Sequence, residues 1–105
     1  MSFNDYLATF PAVDHLSGLN VLNEAGEVVH HIPAVAGKLG SLKLYNALAE
    51  RFEGRLNAEA AAQGLTWFAE HVDDAEANAG KHPNVDLLLA VQAEQKQYHL
   101  QAIAQ

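Results

Sequence analysis

With 105 residues, half of them apolar, the chain can bury one core and is too short for two, so a single domain spanning residues 1–105 is expected. The absence of cysteine excludes disulfides, thiolate nucleophiles and cysteine zinc sites. Thirteen acidic against six basic side chains give a net charge of -7, which opposes binding to nucleic-acid phosphates.

The opening Met1-Ser2-Phe3-Asn4-Asp5 lacks the positive flank and apolar stretch of a signal peptide, and no apolar run approaches the roughly 20 residues that span a bilayer. A cytoplasmic protein that does not engage membranes is the expectation. Ser2 or Asn4 can cap a short helix carrying Tyr6, Leu7 and Phe10, which Pro11 ends. Two β-prone runs follow, 19–23 and 27–32, and Gly26 between them suits a hairpin loop. Ser41 then opens a helix whose Leu44, Tyr45, Leu48 and Phe52 keep helical spacing, with Gly54 at its C-terminal end. From Asn57 a longer helix places Ala61, Leu65, Phe68, Val72 and Ala75 in one stripe, and a split at Gly64 is its alternative. Beyond Gly80 and Pro83, Asn84 can cap a helix bearing Val85, Leu88 and Leu89. The run 97–103 alternates in part and adds a strand to the hairpin. The predicted fold is α+β: a small antiparallel sheet, made of the hairpin and the C-terminal strand, packed in two layers against helices.

Four segments, Val13-Asp14-His15-Leu16-Ser17-Gly18-Leu19, Val29-His30-His31-Ile32-Pro33, Gly37-Lys38-Leu39-Gly40-Ser41-Leu42 and Trp67-Phe68-Ala69-Glu70-His71-Val72, together with Gly80-Lys81-His82-Pro83-Asn84, are spread along most of the chain. In them the protein resembles a family of small uncharacterised bacterial proteins of about this length. The resemblance implies a freestanding bacterial domain and carries no activity, cofactor or catalytic residue with it.

Six histidines are scattered along the chain, at 15, 30, 31, 71, 82 and 99. On a strand His30 and His31 point to opposite faces and cannot chelate one ion, whereas His71 and Asp74 share a helix face. Without a His-Glu-x-x-His pattern neither a metal site nor any cofactor is expected. The segment Gly37-Lys38-Leu39-Gly40 has the Gly-x-x-Gly form of RNA-binding KH loops, but Lys43 stands where those domains usually place an isoleucine, and no phosphate-loop motif is present. General physics still applies there. A helix that starts at Ser41 offers free N–H groups and a positive dipole end, and Lys38 lies near enough to help hold a carboxylate or phosphate. The simpler reading is that the glycines make the turn and Ser41 only caps. Around it Lys38, Lys43, Arg51 and Arg55 face Glu50 and Glu53, a local balance of +2 in an otherwise acidic chain. The carboxylates Glu70, Asp73, Asp74 and Glu76 read as a solvated face, Ser17 lacks a nucleophile elbow, and Trp67 reads as core.

These features point to a small non-catalytic binding or protein-interaction module whose candidate site comprises His30, His31, Lys38, Gly40 and Ser41. Its partner is a protein or a small anionic ligand, and neither nucleic acid nor membrane. Exposed sheet edges point to a homodimer. The alternative is a small enzyme, or a metal- or anion-binding protein, using His30 or His31 with Lys38. A mimic of nucleic acid is a third class that charge alone permits.

Overall fold

In the computed structural model, which describes residues 1–105, a reciprocal cap opens the first helix, α1 (Phe3–Leu7). The Ser2 hydroxyl accepts from the Asp5 amide at 3.2 Å and the Asp5 carboxylate accepts from the Ser2 amide at 2.9 Å, so two otherwise orphan donors are satisfied. The hairpin follows as expected, with β1 (Leu16–Leu22) and β2 (Val28–Pro33). Its turn is held by the Asn23 side-chain oxygen, which accepts from the amides of Ala25 and Glu27, while Gly26 takes φ +86°. Then come α2 (Leu39–Arg51), β3 (Arg55–Leu56), α3 (Ala58–Phe68), α4 (Glu70–Ala77), α5 (Pro83–Glu94) and β4 (Tyr98–Ala104).

The four strands form one antiparallel open sheet in the order β2-β1-β4-β3. Register places Val21 between His30 and Leu100, and Asn20 between His31 and Gln101. Side-chain alternation therefore turns Leu19, Val21, Ile32 and Leu100 toward the helices and leaves His31, His99 and Gln101 exposed on the other side. Leu42, Leu44, Tyr45 and Leu48 of α2, Leu56 of β3, Ala60, Ala61 and Phe68 of α3, Ala75 of α4, and Val85, Leu88 and Val91 of α5 complete the core. The α+β fold with helices packed against the sheet is thus the one expected. The additional strand β3 is only two residues long and too short to leave an alternating pattern.

Four boundaries differ from expectation. The first helix ends at Leu7 with Ala8 as its C-cap, so Phe10 lies beyond it and Pro11 is not what stops it. Ser41 is not the N-cap: Gly37, at φ +87°, turns the chain early, Lys38 occupies the cap, and Ser41 lies inside the first helical turn without a capping bond. Asn84 is likewise inside its helix, because Pro83 occupies the first helical position, which needs no N–H, and His82 precedes it as N-cap. Asn57 does cap α3, accepting from the Ala60 amide at 3.0 Å.

The break in the long helical stretch falls at Ala69 and not at Gly64. Gly64 is buried where α2, α3 and α5 meet, and a Cβ there would lie 2.6 Å from Leu88 Cδ1 and 3.0 Å from Leu48 Cδ1. The glycine thus serves close helix packing. Ala69 takes φ +52° and ψ -117°, a backbone region natural to glycine and strained for any side chain.

Opposite substitutions at these two positions should have opposite effects in denaturant unfolding. Gly64→Ala is expected to destabilise by about 1–2 kcal/mol, since overpacking outweighs the gain in helix propensity. Ala69→Gly is expected to stabilise by about 1 kcal/mol, because relief of strain exceeds the added chain entropy of glycine.

Candidate functional site

The strained turn at Ala69 redirects the chain so that α4 runs beside the start of α5. Across that junction the Asp74 carboxylate accepts from His82 Nε2 at 2.5 Å and pairs with Lys81 Nζ at 3.0 Å. The turn between the helices is tied at both ends: Asn78 Nδ2 donates to the Asp74 carboxylate at 3.0 Å, and the Gly80 amide, at φ +88°, donates to Asp86 Oδ2 at 3.1 Å. The His82 hydrogen bond, and then that of Lys81, holds the Asp74 carboxyl down from its ordinary 3.8 to about 2. Ionised Asp74 can only accept, so the His82 proton shared with it sits on Nε2.

The start of α5 is fixed from two further directions. Tyr45 is wholly buried, and its hydroxyl donates to the Asn84 backbone carbonyl at 2.6 Å. Burial raises this phenol far above its ordinary pKa, so it acts only as a neutral donor. The Asn84 side-chain oxygen accepts from His30 Nε2 at 2.6 Å, which joins α5 to the edge strand β2.

Between the starts of α2 and α5 lies a cleft of about 460 Å³, walled by Lys38, Gly40, Ser41, Lys81, His82 and Asn84, with Phe3, Leu7, Phe68 and His71 along its side. The amides of Leu39, Gly40 and Ser41 donate to no protein acceptor, and neither does that of Asn84. Neither α2 nor α5 has a side-chain cap, whereas α1 and α3 are capped by Ser2 and Asn57. Two positive helix ends and two lysines therefore meet in one concavity, a setting that favours anions. Lys38 makes no salt bridge, while Lys81 shares Asp74 with His82.

Lys38, Gly40 and Ser41 all line this cleft, although the turn itself belongs to Gly37. Gly40 serves close approach: a Cβ there would lie 3.2 Å from Phe3 Cζ. The two neighbouring histidines are elsewhere. His30 lies behind the cleft and reaches it only through Asn84, and His31 projects from the open sheet face, where its Nδ1 bonds Asn20 Oδ1 at 2.6 Å. His71, Lys81 and His82 line the cleft instead, and sequence reasoning did not place them there. The only local sign was Lys81 and His82 immediately before a helix-starting proline. His71 and Asp74 do not share a ligand set, and no three histidine, aspartate or glutamate side chains are grouped to hold a metal ion. Trp67 is half-buried at the core edge, its ring 4.7 Å from that of Phe10.

Residues 3–102 match the model of a family described as an uncharacterized protein conserved in bacteria (DUF2322), and the chain belongs to that family. No curated protein and no solved structure matches it. No helix is long and apolar enough to cross a membrane.

The Asp74 cluster sets an acid limit on this junction. Folding depresses the carboxyl, so its stabilisation is complete above the ordinary value of 3.8 and is lost as the pH falls toward about 2. Asp5 and Glu70 are depressed too and act in the same direction. Asp74→Asn should therefore be less stable than wild type at neutral pH, and the difference should narrow between pH 4 and pH 2 in thermal unfolding followed by circular dichroism.

Proposed function

We propose that this member of the bacterial family is a small non-catalytic binding module of the cytoplasm that takes an anionic ligand, through a carboxylate or phosphate group, in the cleft between the starts of α2 and α5. The observation that supports this most directly is the convergence of two helix starts without side-chain caps on one concavity that also holds Lys38 and Lys81. In this reading the free amides of Leu39, Gly40 and Ser41 bind the anion, Lys38 supplies the unpaired positive charge, and Lys81 is oriented by Asp74. His30 acts at one remove, through Asn84, and His31 takes no part.

The net charge of -7 does not argue against an anionic ligand. At physiological salt the screening length is about 8 Å, so charge spread over the surface is damped while the contacts inside the cleft are not. An enzymatic reading based on His30 or His31 with Lys38 has less support, because neither histidine lines the cleft that contains Lys38.

Phosphate or sulfate should raise the melting temperature above that in chloride of equal ionic strength. At a concentration ten times the Kd the gain should be about 1.4 kcal/mol, or about 5 °C or more for a domain of this size. Lys38→Ala should remove most of that gain while leaving the melting temperature in chloride within about 2 °C, since the side chain is exposed and makes no salt bridge. Equal responses of the two proteins would overturn the assignment.

A further inference from the structure

The cleft is larger, and more apolar along one side, than a simple inorganic ion needs. At about 460 Å³ it falls within the range of sites that enclose small organic molecules, and a tetrahedral ion would fill a small part of it. Its cationic groups and free amides come from the starts of α2 and α5, whereas α1 and the end of α3 contribute Phe3, Leu7 and Phe68. Phe3 is packed against two other rings. Its ring stacks on Phe68 at 5.4 Å between centroids and 13° between planes, and the His71 ring stands edge-on to it at 4.7 Å. Leu39, at the first position of α2, is 48% exposed and lines the same cleft, so an apolar side chain stands beside the free amides with no protein atoms covering it fully.

We propose that the ligand is an organic anion carrying a ring or short apolar chain, with its acidic group at the starts of α2 and α5 and its apolar part against Phe3 and Leu39. This rests on the anion-binding reading above and adds a specificity element to it. A packed aromatic wall loses little freedom when a flat group packs on it, so it contributes selectivity for the body of the ligand while Lys38 and the amides read its head.

Chemical-shift titrations of labelled protein with inorganic phosphate, phenyl phosphate, acetate and benzoate, at constant ionic strength, test this. Each aryl compound should bind about tenfold more tightly than its head group alone, the effect of burying about 60 Å² of apolar surface, and the shifts should centre on residues 37–41 and 81–85. Phe3→Ala should reduce the ratio to about twofold or less. Because Phe3 also docks α1, Leu39→Ala provides a second variant, at an exposed position and with the backbone amide retained, and it should lower the ratio of aryl to head-group affinity by about threefold. If phosphate binds at the cleft and phenyl phosphate binds no tighter, the specificity proposal fails and the anion site stands. If none of the four compounds shifts the cleft resonances, both fail. Tighter aryl binding centred on the open sheet face would also overturn the proposal.

Discussion

A phenol that cannot meet water must find an acceptor inside the protein, and the arrangement of the helical layer follows from where Tyr45 finds one. A buried hydroxyl left without a partner costs about 1–3 kcal/mol, so its bond to the Asn84 carbonyl strongly selects how α2 and α5 lie against each other. The same residue takes a hydrogen bond from His30 on its side chain, which extends the constraint to the edge of the sheet. Asn84 is buried, with its carbonyl and its side-chain oxygen both engaged, yet it stands at the mouth of α5, one residue after Pro83. The start of α5 that faces the cleft is thereby fixed by Tyr45 and His30, neither of which lines the cleft.

The opposite wall depends on α1, which at five residues is far too short to persist alone. Its hold on the rest of the protein comes from the Phe3 ring on Phe68 and from Glu70, whose carboxylate accepts from the Phe3 amide at 2.8 Å. That hydrogen bond lowers the Glu70 carboxyl below its ordinary range and keeps it an acceptor. Glu70 directly follows Ala69, so the backbone strain there bears on two sides of the site at once. It aims Glu70 at α1 and His71 with Asp74 at the turn before α5. Strain of this kind persists only where surrounding contacts over-determine it, and here those contacts run to two other elements.

Much of the fold could be read locally because local chemistry decided it. Gly26 between two β-prone runs and Asn57 before an apolar stripe each act within a few residues of themselves. Gly64 misled because helix propensity treats glycine as a weakness, and only the side chains of Leu48 and Leu88, distant in sequence, show that the space is needed. Ala69 carried no warning at all, since alanine is the best helix former and its conformation is imposed by packing. The lining of the candidate cleft was legible on one side only. Lys38, Gly40 and Ser41 are adjacent in sequence and announced a helix start, but His71, Lys81 and His82 join them through the crossing of α4 and α5. Neighbouring histidines at 30 and 31 attracted attention for the same local reason, and strand alternation separated them.

The position of β4 has a consequence for how the chain reaches this structure. It is the last strand in sequence and an inner strand in space, lying between β1 and β3. The link from the Ser17 hydroxyl to the Ile103 carbonyl closes a separation of 86 residues. During synthesis the β1–β2 hairpin must therefore wait, with one edge bare, until residues 98–104 emerge, and a two-stranded hairpin is marginal in water. Helices can form early, but the sheet they cover cannot be completed until this late, long-range closure. Such topology slows folding and lengthens the time that Leu19, Val21 and Ile32 remain uncovered, so this small acidic domain has its greatest exposure to misassociation before its final strand is in place.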